Sequence, residues 1–242
     1  MNLPVIKFAL PFGSEVRWSD MLAVLVSSDP LPLVDMLDAG PVAKVDVERE
    51  AAVDPSNRPD IIVNADGRRL AVIEIKVLAG LGPQQLDGYA RAVPDAGAYL
   101  VVFPQRLMID LAADRRWQGV SWETLLDKYR SSQNEWVATC AAAWLEHLDR
   151  SLPKVNASTV WDDLVDGEDF VIAMRARMSW VYGQIAPPPP VRHDLVSSAA
   201  GTSWVTRLYA DAKAPGYRVI AEVEEYLPVR EFPKTASHLG LL

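Results

Sequence analysis

The 242-residue chain reads as an α/β protein: a mixed sheet flanked by helices, with a C-terminal extension of helix and strand. Three observations point that way. Two short runs rich in β-branched residues, Arg58-Pro59-Asp60-Ile61-Ile62-Val63 and Leu70-Ala71-Val72-Ile73-Glu74-Ile75-Lys76, flank the turn signal Asn64-Ala65-Asp66-Gly67, as the strands of a β-hairpin do. A helical stretch between Pro83 and Pro94 follows them. A third apolar run, Ala98-Tyr99-Leu100-Val101-Val102-Phe103, then ends at Pro104, so the helix reads as the crossover of a β-β-β-α-β arrangement.

The elements can be justified in order. Residues 18–38 carry a helical pattern, expected as one or two helices broken by Pro30 and Pro32. Val42 to about Ala52 reads as the first strand, and the hairpin supplies the second and third. Gly80-Leu81-Gly82 closes the third strand, Pro83 suits a first helical turn, and Gln84–Val93 forms the helix. Val120–Leu126 opens another helix with Ser121 as its cap. Residues 133–149 predict an amphipathic helix with Trp136, Trp144 and Leu148 on its apolar side, all taken as core. Beyond residue 150, a helix is expected around Asp162–Ile185, then an extended polyproline segment at 186–190, then strands at Ser203–Tyr209 and Tyr217–Tyr226. The expected division is residues 1–150 as the core and 151–242 as an extension carrying no recognisable motif.

The hairpin concentrates charge where apolar residues are expected. A loop of two to four residues near Asp66 brings Asp60 opposite Glu74 or close to it. Glu74 and Lys76 share a strand face, while Ile73, Ile75 and Val77 turn the other way, towards a core. Two carboxylates with no evident neutralising partner, and an ammonium beside them, make a site for a hard divalent cation. Lys76, at the strand's end, is expected to contribute little packing. Gln85 and Tyr89 lie four apart and project from one helix face, within reach of the lysine or a bound phosphate.

Pro59-Asp60, then Glu74-Ile75-Lys76, then a helical Gln85-x-x-x-Tyr89, resembles the PD-(D/E)XK nuclease superfamily, and its RecB-like branch in particular. The ordered set is far more specific than a strand ending in Glu-x-Lys. It covers about residues 45 to 103, with weaker similarity back to Glu15 and forward to about 130. The resemblance implies a restriction-endonuclease-like core and metal-dependent hydrolysis of phosphodiester bonds, in DNA ahead of RNA. It implies Asp60, Glu74, Lys76, Gln85 and Tyr89 as the catalytic set. Mg²⁺ (or Mn²⁺) would be held by Asp60, Glu74 and the backbone carbonyl of Ile75. Lys76 would position the attacking water or neutralise charge on phosphorus. Such proteins often carry a further acidic residue near the metal on the first helix; Glu15 and Asp20 are candidates, as are Glu48 and Glu50 on the strand before Asp60.

Composition narrows the rest. Half the residues are hydrophobic, and no apolar run approaches membrane-helix length, so no membrane partner is expected. The start, Met1–Pro11, is too short and proline-broken to read as a signal peptide. One cysteine, Cys140, excludes an internal disulfide and fits a reducing, cytoplasmic setting. Three scattered histidines give no zinc spacing, and no Gly-x-x-x-x-Gly-Lys loop is present to drive a motor. The net charge of −8 disfavours broad nucleic-acid coating; only local pairs such as Arg68-Arg69, Arg115-Arg116, Lys128/Arg130 and Arg175/Arg177 could track phosphates. Two other readings stay open: a catalytically silent nuclease-fold scaffold, and a nuclease active only in a complex. The 151–242 region would then serve as the surface for a protein partner or a second copy.

Overall fold

The computed structural model describes residues 3–11, 14–54, 56–77, 81, 84–106 and 116–152, and four strands between Arg192 and Leu241. The chain divides into two units, Met1–Gln105 with Leu111–Ser151, and Arg106–Asp110 with Leu152–Leu242.

The first unit begins with three helices, α1 (Leu3–Ala9), α2 (Glu15–Ser28) and α3 (Leu31–Met36). The break between α2 and α3 falls at Asp29-Pro30, and Pro32 sits harmlessly in the first turn of α3. Strands β1 (Val45–Arg49), β2 (Ile61–Ala65) and β3 (Arg68–Ile75) then form an antiparallel meander. β1 is shorter than Val42–Ala52, because Glu50 takes a positive φ of 45° and turns the chain out of the strand. Asp66 and Gly67 form the hairpin turn, with φ of 50° and 75°, as a two-residue turn of the primed type requires. The Asp66 carboxylate fixes that turn by accepting from the Ala43 and Lys44 amides at 3.1 and 2.9 Å.

Helix α4 (Gln85–Ala92) crosses over to β4 (Ala98–Phe103), which lies parallel to β3 with Glu74 beside Val101. β5 (Trp117–Ser121) adds a second parallel pairing, giving the order β1-β2-β3-β4-β5. The architecture is therefore α/β with a mixed five-stranded sheet. β3 is central, and Ala71 through Ile75 are buried on both of its faces rather than one. Glu74 lies inside that buried run.

Helices α5 (Trp122–Arg130) and α6 (Glu135–Ser151) complete the unit. Ser121 caps α5 as its side chain accepts from the Thr124 amide at 3.0 Å. Trp18, Trp122 and Trp144 meet in one cluster, with ring centroids 4.7–5.4 Å apart. Trp136 is not part of it. The buried face of α6 is Val137, Cys140, Ala141, Trp144, His147 and Leu148, and Trp136 falls beside that stripe, 46% exposed.

The second unit contains β6 (Arg192–Ser197), β7 (Ser203–Asp211), β8 (Arg218–Tyr226) and β9 (Ser237–Leu241), all antiparallel in that order. Two of these strands, β6 and β9, go beyond the sequence expectation. The helix expected around Asp162–Ile185 and the 186–190 segment lie outside the described residues. Among the described residues no helix is long and apolar enough to cross a membrane.

The two exposed and buried tryptophans of α6 should separate sharply in stability. Trp144→Ala should cost about 3–5 kcal/mol through lost burial and a cavity. Trp136→Ala should stay within about 0.5 kcal/mol, as surface changes usually do. Urea denaturation of both variants measures this, and equal losses would place Trp136 in the core.

Candidate functional site

The hairpin register builds the site. Ile61 pairs with Ile73, which carries Asp60, just before β2, across from Glu74. The backbone makes the juxtaposition firm: the Ile75 amide donates to Asp60 Oδ2 at 2.7 Å. Lys76 follows β3, its own amide still bonded to the Val102 carbonyl of β4 at 2.9 Å. Its ammonium lies 2.7 Å from Glu74 Oε1 and 3.8 Å from Glu15 Oε2.

Helix α4 covers the cluster. Gln85, at its start, donates from Nε2 to Glu74 Oε1 at 2.7 Å and to Tyr89 Oη at 3.0 Å. Tyr89 in turn donates to the Arg58 carbonyl, two residues before Asp60, at 3.2 Å. The Gln85 amide thus meets the Glu74 carboxylate, not the lysine. Gln84, preceding α4, has a left-handed φ of 58° that turns the chain into the helix.

Two sequence expectations need correction. Glu74 does have a neutralising partner, because Lys76 is folded against it. Lys76 is also no loosely held strand end: it is only 6% exposed, and Glu74 only 2%. Removing its charge would leave Glu74 still more strongly biased to keep its proton. Of the four further acidic candidates, only Glu15 joins the site. It opens α2 and accepts from the Val77 amide at 2.6 Å. Asp20 pairs instead with Arg49, Glu48 accepts from Asn64 at 2.6 Å, and Glu50 lies 3.6 Å from Arg49. Nothing in sequence spacing singles Glu15 out, since it reaches the site from 62 residues before Val77.

The electrostatics follow from burial. Glu74 is pushed up to about 8 by desolvation first and by the neighbouring Asp60 charge second, against the pull of Lys76. Asp60 is raised by burial too, opposed by the Ile75 amide and by Lys76. Burial would lower Lys76, yet the Glu74, Glu15 and Asp60 charges outweigh it and hold the ammonium protonated. Tyr89 is raised, chiefly by burial. The facing carboxyls therefore retain a proton near neutrality. Glu74 Oε2 is buried and meets no donor among the described residues. A cation or a proton would satisfy it. Among the described residues no three His, Cys, Asp or Glu side chains group as a ready-made metal cage. A cation here would rely on Asp60, Glu74 and the Ile75 carbonyl, with Glu15 contributing charge at a distance.

Among the described residues, basic side chains of these pairs are engaged by aspartates. Arg69 pairs with Asp95 at 2.9 Å, Arg116 with Asp87 at 2.7 Å, and Arg130 with Asp127 at 2.6 Å. Arg68 and Arg69 stand at the turn end of β3, roughly 20 Å of strand from Glu74 at about 3.3 Å per residue. A cavity of about 310 Å³ lies at that same end, lined by Leu37, Val42, Arg68, Arg69 and Asp95 among others. Arg115, Arg175 and Arg177 lie outside the described residues.

No protein-family model, curated protein or solved structure matches this chain. The functional reading therefore rests on the site itself.

The retained proton has a measurable consequence. Unfolded Glu74 ionises near 4.5, whereas the folded group holds its proton up to about 8. Between these values the folded state binds more protons, so this group's contribution to stability falls as pH rises and levels off above about 8. Glu74→Gln copies the protonated form. Its stability relative to wild type should therefore climb between about pH 5 and 8, on the order of 3–5 kcal/mol at about 1.4 kcal/mol per pKa unit. Denaturation of metal-free protein across that range checks it; parallel curves would mean Glu74 is ionised throughout.

Proposed function

We propose that this chain is a metal-dependent nuclease of the PD-(D/E)XK kind, with a restriction-endonuclease-like core, hydrolysing phosphodiester bonds of DNA. One observation carries the reading: Asp60 faces Glu74, one of whose buried carboxylate oxygens meets no donor among the described residues, with the Lys76 ammonium 2.7 Å from the same side chain. A cluster of this charge density in a sheet interior is costly to fold, and such perturbed groups gather at functional sites.

The donor set fits Mg²⁺ or Mn²⁺, hard cations that take oxygen ligands and keep part of their water. Asp60, Glu74 and the Ile75 carbonyl would hold the ion, and the bound ion would supply Lewis-acid polarisation of water and phosphodiester. The chain's own groups do the rest. Lys76 would place a fixed positive charge at the reacting centre, where negative charge gathers on the phosphoryl oxygens as a water oxygen bonds to phosphorus, one P–O bond breaks, and the water's proton passes by way of solvent to the leaving oxygen. Gln85 orients the Glu74 carboxylate by its 2.7 Å hydrogen bond, and Tyr89 holds Gln85 in turn. Glu15, through the Val77 amide, ties α2 to the end of the strand that bears the lysine.

Lys76→Met keeps the aliphatic stem and removes the charge. It should lower Mg²⁺- or Mn²⁺-dependent cleavage of plasmid and linear DNA by about 100-fold or more, the scale of one preorganised contact to the transition state. A melting curve confirms the fold. Equal cleavage by wild type and Lys76→Met would assign the activity to another site or protein.

A second reading, a nuclease supplied with substrate by a partner, is favoured by one observation. Arg69, Arg116 and Arg130 are all engaged by neighbouring aspartates, and the net charge is −8. DNA binding in Ca²⁺ should then be weak, with a shallow dependence on salt, since each phosphate neutralised releases about one counterion. Tight, steeply salt-dependent binding in fluorescence anisotropy would require an extended basic groove and make a delivering partner unnecessary.

A further inference from the structure

Asp60 enters the site from the loop of residues 50–60, not from a strand, so its position depends on what fixes that loop. The base is closed by the Glu50 amide, which donates to the Asp60 carbonyl at 2.9 Å. The interior is organised by Asn57. Its amide N–H donates to Asp54 Oδ1 at 2.8 Å and its Nδ2 to Asp54 Oδ2 at 2.6 Å, while its carbonyl accepts from the Val53 amide at 3.1 Å. The Asn57 side chain is therefore held by Asp54, and swinging aside would break that bond.

Against that side chain lies Gly88, in the middle of α4. A Cβ at Gly88 would stand 2.5 Å from Asn57 Oδ1 and 3.5 Å from its Cγ. Gly88 has no positive φ, and its amide makes an ordinary helical bond to the Gln84 carbonyl at 2.8 Å. The backbone does not need a glycine there, and a helix interior disfavours one relative to alanine. Close approach of the loop is the remaining reason for it. The next residue, Tyr89, bonds the same loop at the Arg58 carbonyl. One turn back, Gln85 bonds Glu74.

We propose that Gly88 and Asn57 are positioning residues: their close contact seats the 50–60 loop on α4 and so sets the placement of Asp60 relative to Glu74. Helix α4 acts as a spacer with two attachment points, Gln85 on the strand that bears Glu74 and Gly88/Tyr89 on the loop that bears Asp60. The idea of two carboxylates sharing one cation rests on the nuclease reading, but the spacer itself does not.

The test uses Gly88→Ala, Asn57→Ala and the double variant in the full chain. The Ile75 amide reports on Asp60 directly, because it donates to Asp60 Oδ2 at 2.7 Å. In ¹H–¹⁵N spectra, Gly88→Ala should shift the Ile75 amide upfield while the rest of the spectrum stays dispersed. In the Asn57→Ala background, Gly88→Ala should add little further shift, because the side chain it would obstruct is gone. In Mn²⁺-dependent cleavage, Gly88→Ala should lower kcat by about 100-fold with KM little changed, the cost of misplacing a reacting group by about 1 Å. An Ile75 amide unmoved in both Gly88→Ala and Asn57→Ala would overturn the proposal, as would a Gly88→Ala change that shifts the amide as far in the Asn57→Ala background as in the wild type. Should Gly88→Ala fail to fold, Asn57→Ala alone decides: a shifted Ile75 amide supports the spacer and an unmoved one refutes it. Absence of cleavage by the wild type would end the nuclease reading, and the Ile75 amide would still decide this one.

Discussion

The burial of Glu74 in the central strand is the constraint around which the rest of the first unit is arranged. Its neighbours Ile73 and Ile75 are fully buried, and it shares their environment at 2% exposure. A carboxylate there must find partners or keep its proton. The chain supplies Lys76 and Gln85 to one oxygen and nothing among the described residues to the other. Replacing buried ion pairs by apolar residues is often neutral or stabilising, so the fold alone gives no reason to retain this arrangement. A half-satisfied carboxylate is the feature a cation-binding site would keep and a purely structural core would lose.

The topology explains why the partners arrive together. The antiparallel hairpin brings Asp60 across from Glu74. The sheet then changes from antiparallel to parallel pairing at β3, and the change demands a crossover. That crossover is α4, whose first turn lies against the end of β3 where Glu74 and Lys76 sit. Open α/β sheets gather ligands at the carboxyl ends of their strands, and this cluster occupies that end of β3. Helix α2 adds Glu15, which meets the Val77 amide and the ammonium of Lys76.

Much of this was legible in the sequence, for reasons that are local. The Asp66-Gly67 turn places Asp60 within one residue of facing Glu74, a short-range signal, but an irregularity at Val63/Asn64 shifts the register by one and brings Asp60 across from Glu74 itself. Gln85 and Tyr89 share a face because they are four apart on a helix, and the 3.0 Å bond between them follows. What sequence did not disclose depends on contacts far apart in the chain. The depth of Lys76 was hidden because a strand-terminal lysine ordinarily reaches water; α4 and Glu15 cover it here. Glu15 itself was one of four equivalent acidic candidates. Trp136 was misplaced because a tryptophan on an amphipathic helix invites burial, while the stripe from Val137 to Leu148 leaves it just outside. Strands β6 and β9 are short and carry polar residues, Arg192-His193-Asp194 and Ser237-His238, which mask the period of two.

Charge is the last link between site and reading. Glu15, Asp60 and Glu74 oppose the single Lys76, so the cluster is short of positive charge unless a proton or a cation enters. The molecule as a whole carries −8. At physiological ionic strength the Debye length is about 8 Å, so remote carboxylates are largely screened from an approaching phosphate. The local imbalance is screened less, since Glu74 is buried and Asp60 and Glu15 are only partly exposed beside it. The same imbalance that attracts a divalent cation repels a phosphodiester. On the proposed reading, a divalent cation would offset this imbalance before an anionic substrate could settle against Lys76. A bound cation would in this way make the acidity of the chain compatible with the proposed phosphodiester substrate.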